Sequence, residues 1–303
     1  ARARIEAADE TDLKRQLGLI RRCFGAPSRP DYPTTDAGPR SVDDEALREE
    51  AGRLFDRVRT LALESDGEYH WSSLAPSSDE LRLRPETETL YTGRCGIALL
   101  AGGLFELTGE ERYREFATEA VRPLRESVRG ERRHDPWLEE LGGTNGIGSV
   151  AYGLAVLGDF LGEDLLADAV RAGGFVTEEL VAADDSYDVV AGTAGTILGL
   201  LGVHDRRESQ DLLSLAVDCG DHLLDERTAF EGYRVWDTIH ETRPMTGFSH
   251  GVAGIAYALV RLSAATGDDR YREAVMEALE YERDSYDAGR NNWPYYQSGG
   301  QPP

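Results

Sequence analysis

An internal repeat runs through most of this chain of 303 residues and narrows the folds that the chain can adopt. Pairs of glycines separated by two residues recur about every 50 to 60 positions, at Gly93 and Gly96, Gly143 and Gly146, Gly192 and Gly195, and Gly251 and Gly254. Each pair opens an almost wholly apolar run of helical length. A period of this size is typical of stacked helical units.

Each unit has the pattern of a helical hairpin. Residues 255–260 are apolar nearly all round, as expected of a helix buried on every side. A one-sided helix follows, and its apolar positions in the fourth unit are Tyr271, Ala274, Val275, Ala278 and Leu279. This spacing predicts an outer helix that lies on the core.

The first and fourth units align without gaps over residues 108–115 and 266–273. In both, a threonine stands three residues before an acidic side chain: Thr108 before Glu111, and Thr266 before Asp269. This is the spacing of a capping box, in which the threonine caps the first turn. It predicts that the outer helices begin at these threonines.

Hairpins with a buried inner helix and an amphipathic outer helix form either an open solenoid or a closed double-layered ring. The repeat period alone leaves both open. Paired glycines permit close approach of backbones where helices converge, which a ring requires. We therefore predict an all-α fold of the α/α-toroid type, with the heads of all inner helices on one rim.

The rim is where chemically active residues are expected. The position just before the first glycine of each unit carries, in order, Thr92, Gly142, Ala191 and His250. The position four residues before that glycine carries Thr89, Glu139, Asp188 and Gly247. Asp188 and His250, from adjacent units, should therefore meet. A carboxylate orients an imidazole for general acid or base catalysis, although a lone histidine before a helix also serves as a cap or solvated loop residue.

Composition excludes several functions. The chain has 56 acidic against 33 basic side chains, a net charge of −23, so it would repel the phosphates of nucleic acids. It contains no apolar run of about 18 residues and no signal segment, which predicts no membrane span and a cytoplasmic location. Cys23, Cys95 and Cys219 fit neither a disulfide framework nor a zinc knuckle.

The acidic surface yields a first testable prediction. Acidic residues are spread along the whole chain and Lys14 is its only lysine, which favours a salt-loving, haloarchaeal source over simple codon usage in a GC-rich genome. The Debye length falls to about 3 Å at 1 M salt, so self-repulsion is screened. The melting temperature of the full protein should rise between about 0.1 M and 1 M salt. A melting temperature that stays flat or falls over this range would leave codon usage as the only explanation of the acidic, lysine-poor composition.

The N-terminal part differs from the repeats. Residues 1–24 form an Arg-rich helical stretch, and residues 25–44 contain Pro27, Pro30, Pro33 and Pro39, as expected of a linker. Residues 1–24 therefore look like the end of another domain, and residues 45–303 contain the repeats.

The head segments resemble the lanthionine synthetase C-like proteins. The resemblance is carried by residues 187–198 and 246–259, and by the earlier segments 90–98 and 142–149, and it extends over about residues 45–298. Residues 12–22 resemble the end of the dehydratase domain of class II lanthipeptide synthetases. This similarity implies a dehydratase remnant at 1–24, a linker at 25–44 and a truncated cyclase domain at 45–303.

The resemblance implies an activity in lanthipeptide (lantibiotic) biosynthesis. Such enzymes add Cys thiolates of a precursor peptide to dehydrated Ser and Thr residues, forming thioether rings in a toroid that holds zinc. A family histidine matching His250 is the acid/base group, and an acid matching Asp188 supports it. The family's zinc ligands follow a segment like 291–294, and the chain stops at Pro303 before them. We therefore expect no metal ligand here, a ring incomplete at its C-terminal end and an inactive fragment.

Two other functions remain as hypotheses. One is a glycoside hydrolase or lyase on a similar ring, using paired carboxylates such as Glu139 and Asp188. The other is a non-catalytic peptide-binding toroid. Weaker candidates for peptide contact are Glu140, Trp236, Asp237 and His240, whereas His70, Trp71 and Trp137 are expected in packing roles. Cys219 and His222 have the spacing of metal ligands, but on a predicted outer helix.

Overall fold

The computed structural model describes residues 43–65, 67–77, 80–131, 136–162, 165–238 and 243–294. The predicted dehydratase remnant at 1–24 lies outside the described residues, as does the linker up to residue 42. Cys23 and His240 lie outside them as well.

The structure is mainly helical. Its helices are α1 (Asp44–Leu61), α2 (Arg94–Thr108), α3 (Glu111–Ala120), α4 (Arg122–Val128), α5 (Gly146–Leu161), α6 (Leu166–Gly173), α7 (Glu178–Ala182), α8 (Thr193–His204), α9 (Gln210–Asp225), α10 (Val252–Thr266) and α11 (Asp269–Asp284), with a 3₁₀ turn at Pro136–Glu139. Within the described ranges, no helix has both the length and the apolar character needed to cross a membrane.

The helices form two layers, as predicted. Helices α2, α5, α8 and α10 begin at the glycine pairs and form the inner layer, in which each helix packs on the next. Each inner helix also packs on the outer helix that follows it, namely α3, α6, α9 and α11 respectively. This arrangement of successive hairpins confirms the α/α-toroid fold.

The glycines allow the inner helices to begin against neighbouring backbone. A Cβ atom on Gly195 would overlap the carbonyl oxygen of Val189 and the amide nitrogen of Gly143. A Cβ on Gly254 would overlap the carbonyl oxygen of Phe248. Because backbone cannot move aside as a flexible side chain can, only glycine fits at these positions.

The predicted starts of the outer helices are wrong by two residues. Thr108 and Thr266 end the inner helices α2 and α10, and Gly109 and Gly267 follow with φ of 69° and 76°. The hydroxyl of Thr266 donates to the carbonyl of Leu262 at 2.8 Å, so it closes the helix behind it instead of capping the next one. A left-handed glycine after the last turn is a common way for a helix to end.

The stripe predicted for the fourth outer helix is mostly correct. Tyr271, Ala274, Val275 and Ala278 are buried, whereas Leu279 is 44% exposed and is not a core residue. The buried stripe of α11 continues instead through Tyr281 and Glu282. A helix of 3.6 residues per turn carries position 282, four residues after Ala278, onto the same face.

Within the part of the chain that the structure describes, three short antiparallel strand pairs were not predicted. They pair β1 (Leu63–Ser65) with β2 (Glu68–His70), β3 (Ser72–Ser77) with β4 (Glu80–Pro85), and β5 (Thr228–Phe230) with β6 (Tyr233–Val235). The third hairpin packs on α11 through ring contacts of Phe230 and Tyr233 with Tyr281. Strands of three to six residues leave little period-2 signal in a sequence.

A buried carboxylate joins two outer helices. Asp168 on α6 is fully buried and accepts hydrogen bonds from Arg125 at 2.9 Å, Arg129 at 2.7 Å and Arg171 at 2.8 Å. Burial by itself raises the pKa of Asp168, but the bonds from Arg129 and Arg125 outweigh it and hold this pKa below its usual value. Asp168 therefore stays ionised and ties α6 to α4.

Candidate active site

The head loops of successive units are joined by backbone hydrogen bonds. The amide of Tyr91 donates to the carbonyl of Thr144 at 3.1 Å, and the amide of Gly143 donates to the carbonyl of Val189 at 2.9 Å. The amide of Val189 donates in turn to the carbonyl of Ser249 at 3.3 Å. The four heads thus lie along one rim, as the ring arrangement predicted.

The loop that carries Asp188 is folded back onto the start of α8. One oxygen of Asp184 accepts from the amide of Ser186 at 3.0 Å, and the other accepts from the amide of Thr193 at 2.8 Å. Tyr187 adopts a left-handed backbone with φ of 59°, which a bulky residue rarely does unless its surroundings impose it. These constraints direct the chain so that Asp188 is held at the rim.

Asp188 and His250 are in direct contact. The carboxylate of Asp188 is only 2% exposed, and its Oδ1 accepts from the amide of Ala191 at 2.8 Å. Its Oδ2 lies 2.6 Å from Nδ1 of His250. Since an ionised carboxylate can only accept, Nδ1 carries the proton and Nε2 is left as the reactive nitrogen. The predicted meeting of these two residues is therefore observed.

His250 is held on one side and open on the other. Its side chain is 45% exposed, while its carbonyl accepts a hydrogen bond from the Thr238 hydroxyl at 2.5 Å. A histidine whose Nδ1 edge is held by a buried acid and whose remaining surface reaches solvent can exchange a proton with a bound molecule. This geometry is that of a general acid or base.

Glu282 is a site residue that the sequence reasoning missed. It lies on α11 and is 7% exposed, and its Oε1 accepts from the amides of Gly247 and Ala253, both at 2.9 Å. Burial raises the pKa of Glu282, and the two backbone bonds oppose that rise. One signal could have revealed it: a charged residue at the next position of an otherwise apolar stripe.

A cavity of about 350 Å³ lies between the inner helices. Its lining includes Val189, which follows Asp188 in the chain, together with Tyr152, Leu198 and Tyr257. Tyr257 is also in ring contact with exposed Phe248, two residues before His250. The cavity is thus partly aromatic, its lining also includes charged side chains, and its volume is at the lower end of the range for ligand pockets.

The two carboxylates of the glycosidase hypothesis have different surroundings. Asp188 is buried and its oxygens contact the amide of Ala191 and the imidazole of His250. Glu139 and Glu140 are exposed and line a depression beside Asp184 and Asp185. Asp188 is thus paired with a histidine, which favours its role as a partner of His250.

The aromatic candidates have packing roles. Trp236 is fully buried and its Nε1 donates to the carbonyl of Leu223 at 2.7 Å, so the expectation that it could contact a peptide is wrong. Asp237 beside it is half-buried. Trp71 and Trp137 are buried, as predicted.

The described residues do not fit a zinc ion. Within those ranges, no group of three His, Cys, Asp or Glu side chains is arranged to hold a metal. Cys219 is buried in α9, and Nε2 of His222 lies 3.1 Å from the carbonyl of Asp184. Both side chains are therefore held by packing or hydrogen bonding within the protein, and we derive no step through a metal.

Burial should make the two described cysteines unreactive. It raises the pKa of Cys95 to about 12, and it raises the pKa of Cys219 far above the usual range for a thiol. Because the thiolate is the nucleophile, neither should be alkylated by iodoacetamide at pH 8 in the folded protein, whereas both should react in denaturant. Peptide mapping by mass spectrometry measures this. Labelling of either at the denatured rate would contradict the burial.

Comparison with known proteins agrees with the fold. The structure is similar to "Crystal structure of D-mannose isomerase", with a TM-score of 0.51 at 13% identity over 84% of this chain and 73% of the other. Cellobiose 2-epimerase from Bacillus thermoamylovorans gives a TM-score of 0.49 at 11% identity, covering 86% of this chain and 76% of the other. At such identities the likeness concerns the fold alone.

Family comparison is more specific. No curated protein matches the sequence significantly. The family model described as "Lanthionine synthetase C-like protein" matches residues 84–302, which include all four glycine pairs, Asp188 and His250. The match covers well over half of the chain. This protein therefore belongs to the lanthionine synthetase C-like family.

Proposed function

We propose that the chain is the cyclase region of a class II lanthipeptide synthetase. It adds Cys thiolates of a precursor peptide to dehydroalanine or dehydrobutyrine residues of the same peptide, giving lanthionine and methyllanthionine rings. The observation that carries the proposal is the 2.6 Å contact between Asp188 and His250 at the rim, inside the segment that matches the family. The dehydrated residues would come from the dehydratase domain of the complete enzyme.

The acid/base pair suits the chemistry of ring formation. When the thiolate sulfur bonds to the β-carbon of a dehydrated residue, the electrons of the C=C bond move to form an enolate. A proton must then reach the α-carbon. Nε2 of His250 takes up the proton that the cysteine thiol loses as the thiolate forms, and then donates it to this carbon. The buried carboxylate of Asp188 stabilises the intervening imidazolium and orients its ring.

The cavity suits a peptide substrate. Its lining combines aromatic and apolar side chains with Asp205, Arg206 and Arg261, so it can receive both apolar and charged side chains that flank a cysteine. Val189, the neighbour of Asp188 in the chain, is part of this lining. Since Cys95 and Cys219 are buried, the thiols of these two residues do not compete for the dehydrated residues.

A thiol-alkylation assay tests the proposal. The full synthetase is incubated with its precursor peptide dehydrated beforehand, and samples are alkylated over time and weighed. Ring formation leaves the peptide mass unchanged but removes the alkylation shift, because a thioether does not react. A sample without enzyme corrects for spontaneous addition. If cysteines stay open at the spontaneous rate although the peptide binds, the protein is a peptide-binding toroid and not a cyclase.

A further inference from the structure

The segment that carries His250 is held from behind by two consecutive residues of α11. The hydroxyl of Tyr281 donates to the carbonyl of Pro244 at 2.6 Å, at the start of this segment. The carboxylate of Glu282 accepts from the amide of Gly247 within the segment and from Ala253 at its end. One turn of an outer helix therefore anchors the whole stretch from 244 to 253.

Glu282 brackets the histidine symmetrically. Gly247 lies three residues before His250 and Ala253 lies three residues after it, and both amides bond to the same oxygen at 2.9 Å. One carboxylate oxygen thus pins the segment on both sides of the histidine. Other bonds that hold this loop run from Thr238 to the His250 carbonyl and from Val189 to the Ser249 carbonyl.

A carboxylate at this position is unfavourable for packing alone. The other inward positions of α11 are Tyr271, Ala274, Val275, Ala278 and Tyr281, so an apolar residue would continue the stripe. Burying a carboxylate costs free energy unless hydrogen bonds compensate. Charge-assisted bonds to backbone amides are stronger than neutral ones and hold a loop more rigidly. The position of Glu282 is therefore explained by the loop that it holds.

We propose that Glu282 is a positioning residue for His250. By holding the amides of Gly247 and Ala253, it keeps Nδ1 of His250 in contact with Asp188 and leaves Nε2 exposed at the rim. Its effect on catalysis rests on the proposed function, whereas its effect on the imidazole does not.

Three variants of the full protein separate positioning from stability. Glu282→Leu keeps the apolar packing of α11 but cannot accept hydrogen bonds. Glu282→Gln keeps an oxygen acceptor in nearly the same place. Glu273→Leu changes an exposed carboxylate of the same helix and serves as the matched control. Thermal melting reports whether each variant folds.

Imidazole NMR is the primary readout, because it does not depend on activity. The Nδ1 proton bonded to Asp188 should give a strongly deshielded signal, which is assigned by its loss in His250→Asn. We expect this signal to disappear or broaden in Glu282→Leu and to persist in Glu282→Gln and Glu273→Leu. A signal unchanged in folded Glu282→Leu would overturn the proposal. Should that variant not fold, loss of the signal in folded Glu282→Gln would overturn it.

Kinetics then connect the position to catalysis. In Glu282→Leu the rate of ring formation at saturating peptide should fall by about 10- to 100-fold, the usual effect of a misplaced catalytic group, with KM little changed. Glu282→Gln should recover most of the rate. If the wild-type protein does not cyclise but the signal still depends on Glu282, the proposed function fails and the positioning role stands. Wild-type rates in Glu282→Leu would remove the catalytic role.

Discussion

Replacing His250 with Asn in the complete enzyme should slow ring formation by about 100-fold or more, the usual size of a general acid or base contribution. The side-chain amide of Asn occupies about the space of Cγ and Nδ1 of the imidazole and can still form a hydrogen bond with Asp188, but it cannot deliver a proton. Dehydration of the peptide should be unaffected, because the proposed function assigns that step to a separate domain. The variant should therefore accumulate dehydrated, uncyclised peptide.

The companion change Asp188→Asn should have a smaller effect. An amide oxygen at Oδ2 can still accept from Nδ1 of His250, so the ring stays oriented. The amide NH2 then faces the amide of Ala191, so that bond is lost together with the charge that stabilises the imidazolium. The two losses should be far from additive in the double variant, because the residues act as one unit. Additive losses would mean that Asp188 serves the site independently of His250.

The measurement is the alkylation time course on dehydrated peptide, with spontaneous thiol addition subtracted. His250→Asn that cyclises at the wild-type rate would show that the histidine is structural and that the proton comes from elsewhere. Zinc content is measured in parallel by elemental analysis. A loss of zinc together with His250 would assign the histidine to metal binding and would contradict its acid/base role.

The second large effect concerns Gly195, at the head of α8. Adding a single methyl group in Gly195→Ala should lower the free energy of unfolding by about 3 kcal/mol or more, at the upper end of the range for overpacked sites. The methyl carbon would overlap the backbone of Val189 and Gly143. Those residues belong to the hydrogen-bonded rim, so relief of the clash must separate the second and third units.

Gly103→Ala provides the matched control. Gly103 lies within α2, and no atom lies within 4 Å of the place where its Cβ would be. Alanine should therefore stabilise the protein by about 0.5–1 kcal/mol through its higher helix propensity. Urea unfolding of both variants and the wild type decides the comparison. Equal stability of Gly195→Ala and the wild type would mean that the glycine pairs are not needed for close packing.

The repeat made the ring and its rim predictable from sequence. Apolar residues at helical spacing determine which faces are buried, and identical units stack with identical neighbours. Corresponding positions of adjacent units therefore come close together in space. The repeat was therefore sufficient to predict that Asp188 meets His250, although 62 residues of sequence separate them.

Two predictions made from local sequence pattern were wrong, because the position of each residue depends on what packs around it. The Thr266 spacing fits both a helix start and a helix end, and Gly267 with its left-handed φ decides for the end. Leu279 lies at the edge of the apolar stripe, where burial depends on what packs beside the helix, and it is exposed.

What the sequence alone determined is therefore the repeating architecture and the contact between Asp188 and His250, because both follow from periodicity along the chain. Only the tertiary structure decided the role of Glu282 and the burial of Trp236. Each depends on a hydrogen-bond partner in another element of the fold: the amides of Gly247 and Ala253 for the carboxylate, and the carbonyl of Leu223 for the indole. A buried polar group takes its role from the group that satisfies its hydrogen bond, and the fold alone brings that group to it.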